Sequence, residues 1–190
     1  MNPYLKLLLA VAIAVPVAFL CKWIAGKITG KTPEESARAQ VEKLANRKDF
    51  NSAILAAQKL VSLNPSAENQ YLLGRCYELN KDFDRAAATY LDSIAADPEF
   101  YMAYNNLGTA YLNIGENEKA QEALEKAYVL KPEHPYVSAN LAYTYALFGE
   151  TDRAREMLAR AKENGFADKG SVIENKIREC EAKNYTAEEE

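Results

Sequence analysis

YMAYNNLGTAYLNIGENEKAQEALEKAYVLKPEH, Tyr101–His134, is the stretch that decides the fold. In its first half Tyr104, Leu107, Gly108, Tyr111 and Leu112 recur at spacings of three and four, which puts them on one face of a helix. Gly115 interrupts the pattern, being the residue type that most easily leaves a helix. A second helical face runs through Ala120, Leu124, Ala127 and Tyr128, until Pro132 stops it and biases Lys131 away from helical geometry. Gly108 and Ala120 have almost no side chain, so two helix axes can approach closely there.

Tyr104, Leu107, Gly108, Tyr111, Ala120, Leu124, Ala127 and Pro132 resemble the signature of the tetratricopeptide repeat, a helix–turn–helix unit of about 34 residues. The period recurs along the chain. In the stretch 67–100, Leu73-Gly74, Tyr77, Ala86, Tyr90 and Pro98 each stand one full period before their equivalents. In the stretch 135–168, Leu141-Ala142, Tyr145, Ala154, Leu158 and Ala161 are in register, and Phe166 replaces the closing proline. The stretch 33–66 is a degenerate copy. Ala53, Ala57, Leu60 and Pro65 match the second-helix positions Ala120, Leu124, Ala127 and Pro132, two periods less one position further on. Its first helix departs, because Gln40 and Val41 stand where Leu107 and Gly108 stand later. The turn also repeats, as KDF at Lys48–Phe50 and Lys81–Phe83 and as a glycine-led turn at Gly115 and Gly149. The two KDF copies fall one position short of a full period, so a residue is lost at the first junction.

The resemblance implies an all-α solenoid of four repeats over residues 33–168. Thr32-Pro33-Glu34-Glu35 opens it with an N-cap, a first-turn proline and first-turn acids. Residues 169–183 read as a capping helix with Ser171 and Glu174 at capping-box spacing and Val172, Ile173, Ile177 and Cys180 on one apolar face. Residues 184–190 read as a disordered acidic tail.

Composition agrees with an all-α chain: no long Val/Ile/Thr alternation occurs in its 190 residues. Residues 1–31 carry four lysines and no acid, while the remainder carries 19 basic and 27 acidic residues. An acidic body argues against nucleic acid as the partner, because phosphate binding needs a basic face. Cys21, Cys76 and Cys180 are widely spaced and the chain has one histidine, so neither a disulfide nor a zinc site is expected. Three free thiols suit a reducing compartment.

Residues 1–30 form a separate segment. Leu7–Cys21 is an apolar run interrupted only by Pro16, and Tyr4–Gly26 contains only Lys6 and Lys22 as charges. At about 1.5 Å per residue the span is roughly 34 Å, enough for a bilayer core of about 30 Å. Tyr4 and Trp23 sit where an aromatic belt belongs, and both lysines lie near the ends. A cleaved signal peptide would need small residues after the apolar run, where Trp23 stands instead, so a single-pass transmembrane anchor through residues 4–26 is the expectation. Lys22, Lys27 and Lys31 on the C-terminal flank favour a cytoplasmic repeat domain; the periplasmic or extracytoplasmic side is the alternative. Ala25–Thr32, AGKITGKT, fits a relaxed phosphate-loop pattern, but it lacks the strand and parallel sheet that such a loop needs, so it reads as a juxtamembrane linker and no nucleotide is expected.

No catalytic constellation emerges, and no cofactor or metal is expected. His134 lies between Pro132 and Pro135 and reads as a turn residue, and the stripe of Tyr77, Tyr90, Tyr104, Tyr111, Tyr128 and Tyr145 reads as packing. In the family the first helices line a concave groove that holds a peptide or helix. The resemblance therefore places a partner-binding groove at Arg38, Tyr71, Arg75, Asn105, Asn106, Thr109, Tyr136, Asn140 and Tyr143, with Glu42, Glu78 and Ala139 also off the packing face. Asn106 and Asn140, at matching sites of consecutive repeats, have the paired donor and acceptor that pin an extended backbone. Family members that grip a C-terminal carboxylate use a set of cations, whereas this chain offers only Arg75 among Tyr71, Tyr136 and Asn140. The expected function is a membrane-tethered adaptor; the alternative is a constitutive structural subunit of a membrane or envelope complex.

Overall fold

The computed structural model describes residue 30, residues 32–167 and residues 171–187. These residues form nine α-helices and no strand, divided after Asn64 into two compact units.

The first unit contains α1 (Pro33–Asn46) and α2 (Phe50–Leu63). The start of α1 is the capping box that its sequence announces: Glu35 N donates to Thr32 Oγ1 at 3.1 Å and Thr32 N donates to Glu35 Oε2 at 2.6 Å. The Thr32 hydroxyl is thus spent on a helix end. Asp49 caps α2 by accepting from Ser52 N. Val41, Ala53, Ile54, Ala57 and Leu60 are buried, and Asn64 Nδ2 donates to Glu34 Oε1 at 3.1 Å, tying the end of α2 to the start of α1.

The second unit holds three helix pairs: α3 (Ala67–Leu79) with α4 (Phe83–Ala96), α5 (Tyr101–Ile114) with α6 (Asn117–Leu130), and α7 (Pro135–Leu147) with α8 (Thr151–Glu163). Each pair closes over a small residue. A Cβ at Gly74 would stand 2.6 Å from Tyr90 Cε1, and one at Gly108 would stand 2.5 Å from Leu124 Cγ. Both are inside van der Waals contact, so those two ridges can interlock only over glycine. The third pair carries Ala142, buried in one core with Leu158.

The turns between paired helices share one geometry. Lys48, Lys81, Gly115 and Gly149 are all left-handed, with φ of 61°, 61°, 82° and 77°. The acid that follows starts the second helix, and in the second unit it pairs with a cation three residues on: Asp82 with Arg85, Glu116 with Lys119, Glu150 with Arg153. The same cations lie over the rings of Tyr77, Tyr111 and Tyr145, at 4.7, 5.8 and 3.9 Å from the centroid. Hydrogen bonding from Arg85 holds the Asp82 carboxyl below its ordinary value. One period thus sets an acid, a base and a tyrosine around every turn of this unit.

Between the last two pairs, Glu125 Oε1 on α6 accepts from Gln121 Nε2 at 2.9 Å, from the Tyr145 hydroxyl at 2.9 Å and from Arg153 Nη2 at 3.2 Å. Burial pushes the Glu125 carboxyl up, but these donors and the Arg153 charge outweigh it and leave it lowered.

The closing helix, α9 (Val172–Ala187), packs on α7 and α8. Ile173 and Ile177 are buried, and Cys180 Sγ donates to Ala146 O at 2.8 Å. Three expectations change here. Val172 is 58% exposed and lies off the apolar face. Ser171 precedes the helix at φ 52°, not with the extended backbone of an N-cap. The helix runs to Ala187, into the stretch expected to be tail, because Asn184–Ala187 contains neither proline nor glycine.

The anchor span 4–26, the run Leu7–Cys21 and most of Ala25–Thr32 lie outside the described residues. Among the described residues no helix is long and apolar enough to cross a membrane.

Two measurements check this account. Lys81→Gly relieves an L-residue held left-handed, a strain of about 1–2 kcal/mol partly offset by the extra unfolded-state freedom of glycine. The net expectation is a gain of about 0.5 kcal/mol in urea denaturation, whereas a loss would show that the Lys81 side chain contributes more than its backbone costs. Glu125, with its carboxyl held below the unfolded value of about 4.3, contributes stability above that pH and loses it as pH falls through the folded value. The urea midpoint of Glu125→Gln should therefore fall less steeply than that of the wild type between about pH 5 and pH 3; parallel curves would assign the carboxylate no role.

Candidate docking face

The first helices of the second unit bring together most of the residues expected to meet a partner. Tyr71 and Arg75 lie on α3, Asn105, Asn106 and Thr109 on α5, and Tyr136, Asn140 and Tyr143 on α7. Arg38 lies on α1, in the first unit.

A continuous chain of hydrogen bonds joins the three helices. Asn140 Nδ2 donates to Asn105 Oδ1 at 2.9 Å, and Asn105 Nδ2 donates to Asn106 Oδ1 at 3.0 Å. Asn106 Nδ2 donates to the hydroxyls of Tyr71 and Tyr90, both at 3.3 Å, and the Tyr90 hydroxyl donates to Glu78 Oε2 at 2.5 Å. Burial first, and then the Glu78 charge, push the Tyr90 phenol far above its ordinary value, so it remains a donor. Burial also raises the Tyr71 phenol against the opposing effect of Arg75. Satisfied networks of this kind hold their side chains in one arrangement.

The network engages the two asparagines differently. Both ends of the Asn106 amide are engaged inside the protein, so this residue helps to organise the face. Asn140 spends its donor on Asn105. Thr109 turns its hydroxyl back to Asn106 O at 2.8 Å. Arg75 is exposed, with its guanidinium 6.0 Å from the centre of the Tyr71 ring. Ala139, expected off the packing face, is buried.

At the α7 end the face opens into a cavity of about 730 Å³ between α7, the loop after α8 and the start of α9. Tyr136, Asn140 and Tyr143 form one wall, and Phe166, Val172 and Ile173 the other. Among the described residues, none that lines it is charged. Tyr136 meets Phe166 edge to face at 5.7 Å.

The same rim explains His134. Thr32, Ser66, Phe100 and His134 start the four first helices, each one period after the last. The first two cap with a hydroxyl. The last two make no such cap and stack instead: Phe100 on Tyr71 at 5.3 Å, and His134 on Tyr101 at 5.2 Å and near Tyr136 at 6.0 Å. His134 Nδ1 is buried with no hydrogen-bond partner. The ring is an aromatic spacer and not only a turn residue.

Several contributors escape sequence reasoning. Tyr90 is on a second helix and reads as packing, yet its hydroxyl reaches the first-helix face. Phe166 had a signal, since it stands where the repeat should end in proline. Cys76 is buried, and burial pushes its thiol up to about 11, which leaves it inert.

Three family models described as tetratricopeptide repeat match residues 38–99, 89–122 and 115–169. Among solved structures, MamA from Desulfovibrio magneticus RS-1, residues 41 to the end, is 26% identical with a TM-score of 0.62, over 69% of this chain and 75% of that one. A thermophilic tetratricopeptide-repeat protein of Thermus thermophilus matches at a TM-score of 0.65 over 93% of this chain and 95% of its own, and at 20% identity it speaks for the fold alone. The small glutamine-rich tetratricopeptide repeat-containing protein 2 of Mycosarcoma maydis is 29% identical over 102 residues, covering 53% of this chain and 29% of that protein. The chain thus spans less than a third of that curated relative.

Proposed function

We propose, for a chain that belongs to the tetratricopeptide-repeat family and is a protein–protein interaction scaffold rather than an enzyme, that the face shared by α3, α5 and α7 docks a peptide or helix of a partner protein. The observation that carries this reading is the hydrogen-bonded row from Glu78 to Asn140 ending in an aromatic cavity lined by Tyr136, Tyr143 and Phe166. A row already satisfied internally loses little side-chain entropy on binding, and the cavity accepts a bulky apolar anchor. Asn140 Oδ1, at the mouth of the cavity, accepts a backbone N–H beside that anchor. Arg75 meets a carboxylate at the other end.

The proposal extends to a membrane tether through residues 4–26 with the repeats on the cytoplasmic side. Support comes from the apolar run Leu7–Cys21 and the flanking lysines. Tethering raises effective concentration, so modest affinity suffices. A constitutive structural subunit is the second reading. It is favoured by aliphatic side chains exposed on second helices, among them Leu55 at 68% and Val129 at 72%.

Photo-crosslinking from Tyr143 in intact cells should trap the partner, and Asn140→Ala with Phe166→Ala should cut the yield at least about tenfold with unchanged helical circular dichroism. An undiminished yield would exclude this face, and a stoichiometric complex that survives the double variant would favour the structural subunit. Alkaline carbonate extraction should leave the full chain in the membrane pellet; release into the supernatant would remove the tether.

A further inference from the structure

One hydrogen-bonded pair behind the first-helix face is not required by the repeat. Tyr90 stands where the third and fourth repeats have Leu124 and Leu158, and where the first has Ala57. Its partner Glu78 stands where they have Leu112, Ala146 and Ala45. Leucine satisfies the packing at the first of these positions, since Leu124 is as fully buried as Tyr90. A buried phenol must also find a hydrogen-bond partner, so it costs more than the leucine it replaces unless the hydroxyl has a use.

The direction of the bonds shows that use. Every donor in the row points toward Glu78: Asn140 Nδ2 to Asn105, Asn105 Nδ2 to Asn106, Asn106 Nδ2 to the Tyr90 hydroxyl, and that hydroxyl to Glu78 Oε2. A side-chain amide can face either way, having a donor at one end and an acceptor at the other, whereas a carboxylate can only accept. Glu78 therefore claims the single Tyr90 hydroxyl proton. The Tyr90 oxygen is left as an acceptor, so Asn106 turns Nδ2 to it and Oδ1 to Asn105. The same rule passes from Asn105 to Asn140. Reversing the row would set the Asn106 oxygen against the Tyr90 oxygen with no hydrogen between them. Tyr71 does not decide the direction, because its hydroxyl can accept from Asn106 or donate to it. Aligned one way, the bonds polarise one another.

We propose that Glu78 is a positioning residue that sets the specificity of the docking face: acting through Tyr90, its carboxylate fixes the polarity of the asparagine row, so that Asn140 turns its carbonyl oxygen and not its amine toward a ligand in the cavity it lines. The role in specificity rests on the docking function proposed above; the polarity does not. The ligand class selected is a segment with an N–H or O–H donor beside its apolar anchor. A segment with an acceptor at that point meets a second acceptor and is rejected.

Moving the carboxylate from one end of the row to the other tests the polarity, in the full chain in detergent micelles at neutral pH. Asn140→Asp puts a second acceptor-only group at the far end, opposed to the first, and should lower the urea midpoint. Glu78→Gln removes the first, so the row can reverse, with Asn105 donating to position 140 and the Tyr90 hydroxyl to Asn106. In the Glu78→Gln background the loss from Asn140→Asp should therefore be at most about half as large. Additive losses overturn the proposal, as does an Asn140→Asp midpoint equal to that of the wild type. Tyr90→Phe keeps the buried ring, removes the relaying hydroxyl and should abolish the coupling between the two ends; coupling that persists would assign it to direct repulsion of the two charges and overturn the relay. Photo-crosslinking from position 143 tests the specificity. Glu78→Gln should cut the yield of trapped partner at least about fivefold with unchanged helical circular dichroism, and an undiminished yield overturns the role in specificity. If the wild type traps no partner, the docking function fails and the specificity with it, whereas the urea midpoints still decide the polarity.

Discussion

The second unit depends on how closely two helices of a pair can approach. At Gly74 and Gly108 the partner side chain, Tyr90 or Leu124, occupies the space that a Cβ would need. That approach buries Tyr90 and Leu124 completely. It also carries the Tyr90 hydroxyl through to the first-helix face, where it meets Glu78 and Asn106. Packing and candidate site are therefore coupled through one residue: the glycine that lets α3 and α4 close is also what puts a buried phenol in reach of the asparagine row.

Electrostatics act at the opposite edge of the repeats. In the second unit, the acid that starts each second helix, the cation three residues later and the tyrosine beneath it form a unit that recurs with the period. Each exposed ion pair contributes little by itself. Their value lies in defining the turn, together with a left-handed residue that is glycine in two repeats and lysine in two. Where the last two pairs meet, Glu125 gathers three donors on one oxygen, so the edge network links neighbouring repeats as well as paired helices.

The candidate face was only half legible. A fixed period identifies which positions of α3, α5 and α7 leave the packing face, since spacing alone decides that. It does not reveal that Asn106 is consumed internally while Asn140 spends its donor on Asn105, because those bonds join side chains far apart in sequence and on different helices. The aromatic cavity is likewise hidden. Phe166, Val172 and Tyr136 line one space only after α9 has packed on α7, and the apolar pattern of α9 by itself puts Val172 on the buried side of the helix.

Periodicity and residue size were enough to establish an all-α repeat architecture, its N-terminal capping box at Thr32 and the close contacts at Gly108. Each of these is a local property, governed by helical spacing, by the length of the repeat and by the absence of a side chain. The membrane tether rests on hydropathy alone. Which polar groups are satisfied and where an open cavity remains depended on the folded arrangement. Those features arise from side chains distant in sequence meeting at van der Waals or hydrogen-bond distance, and no local pattern encodes which of them will arrive first.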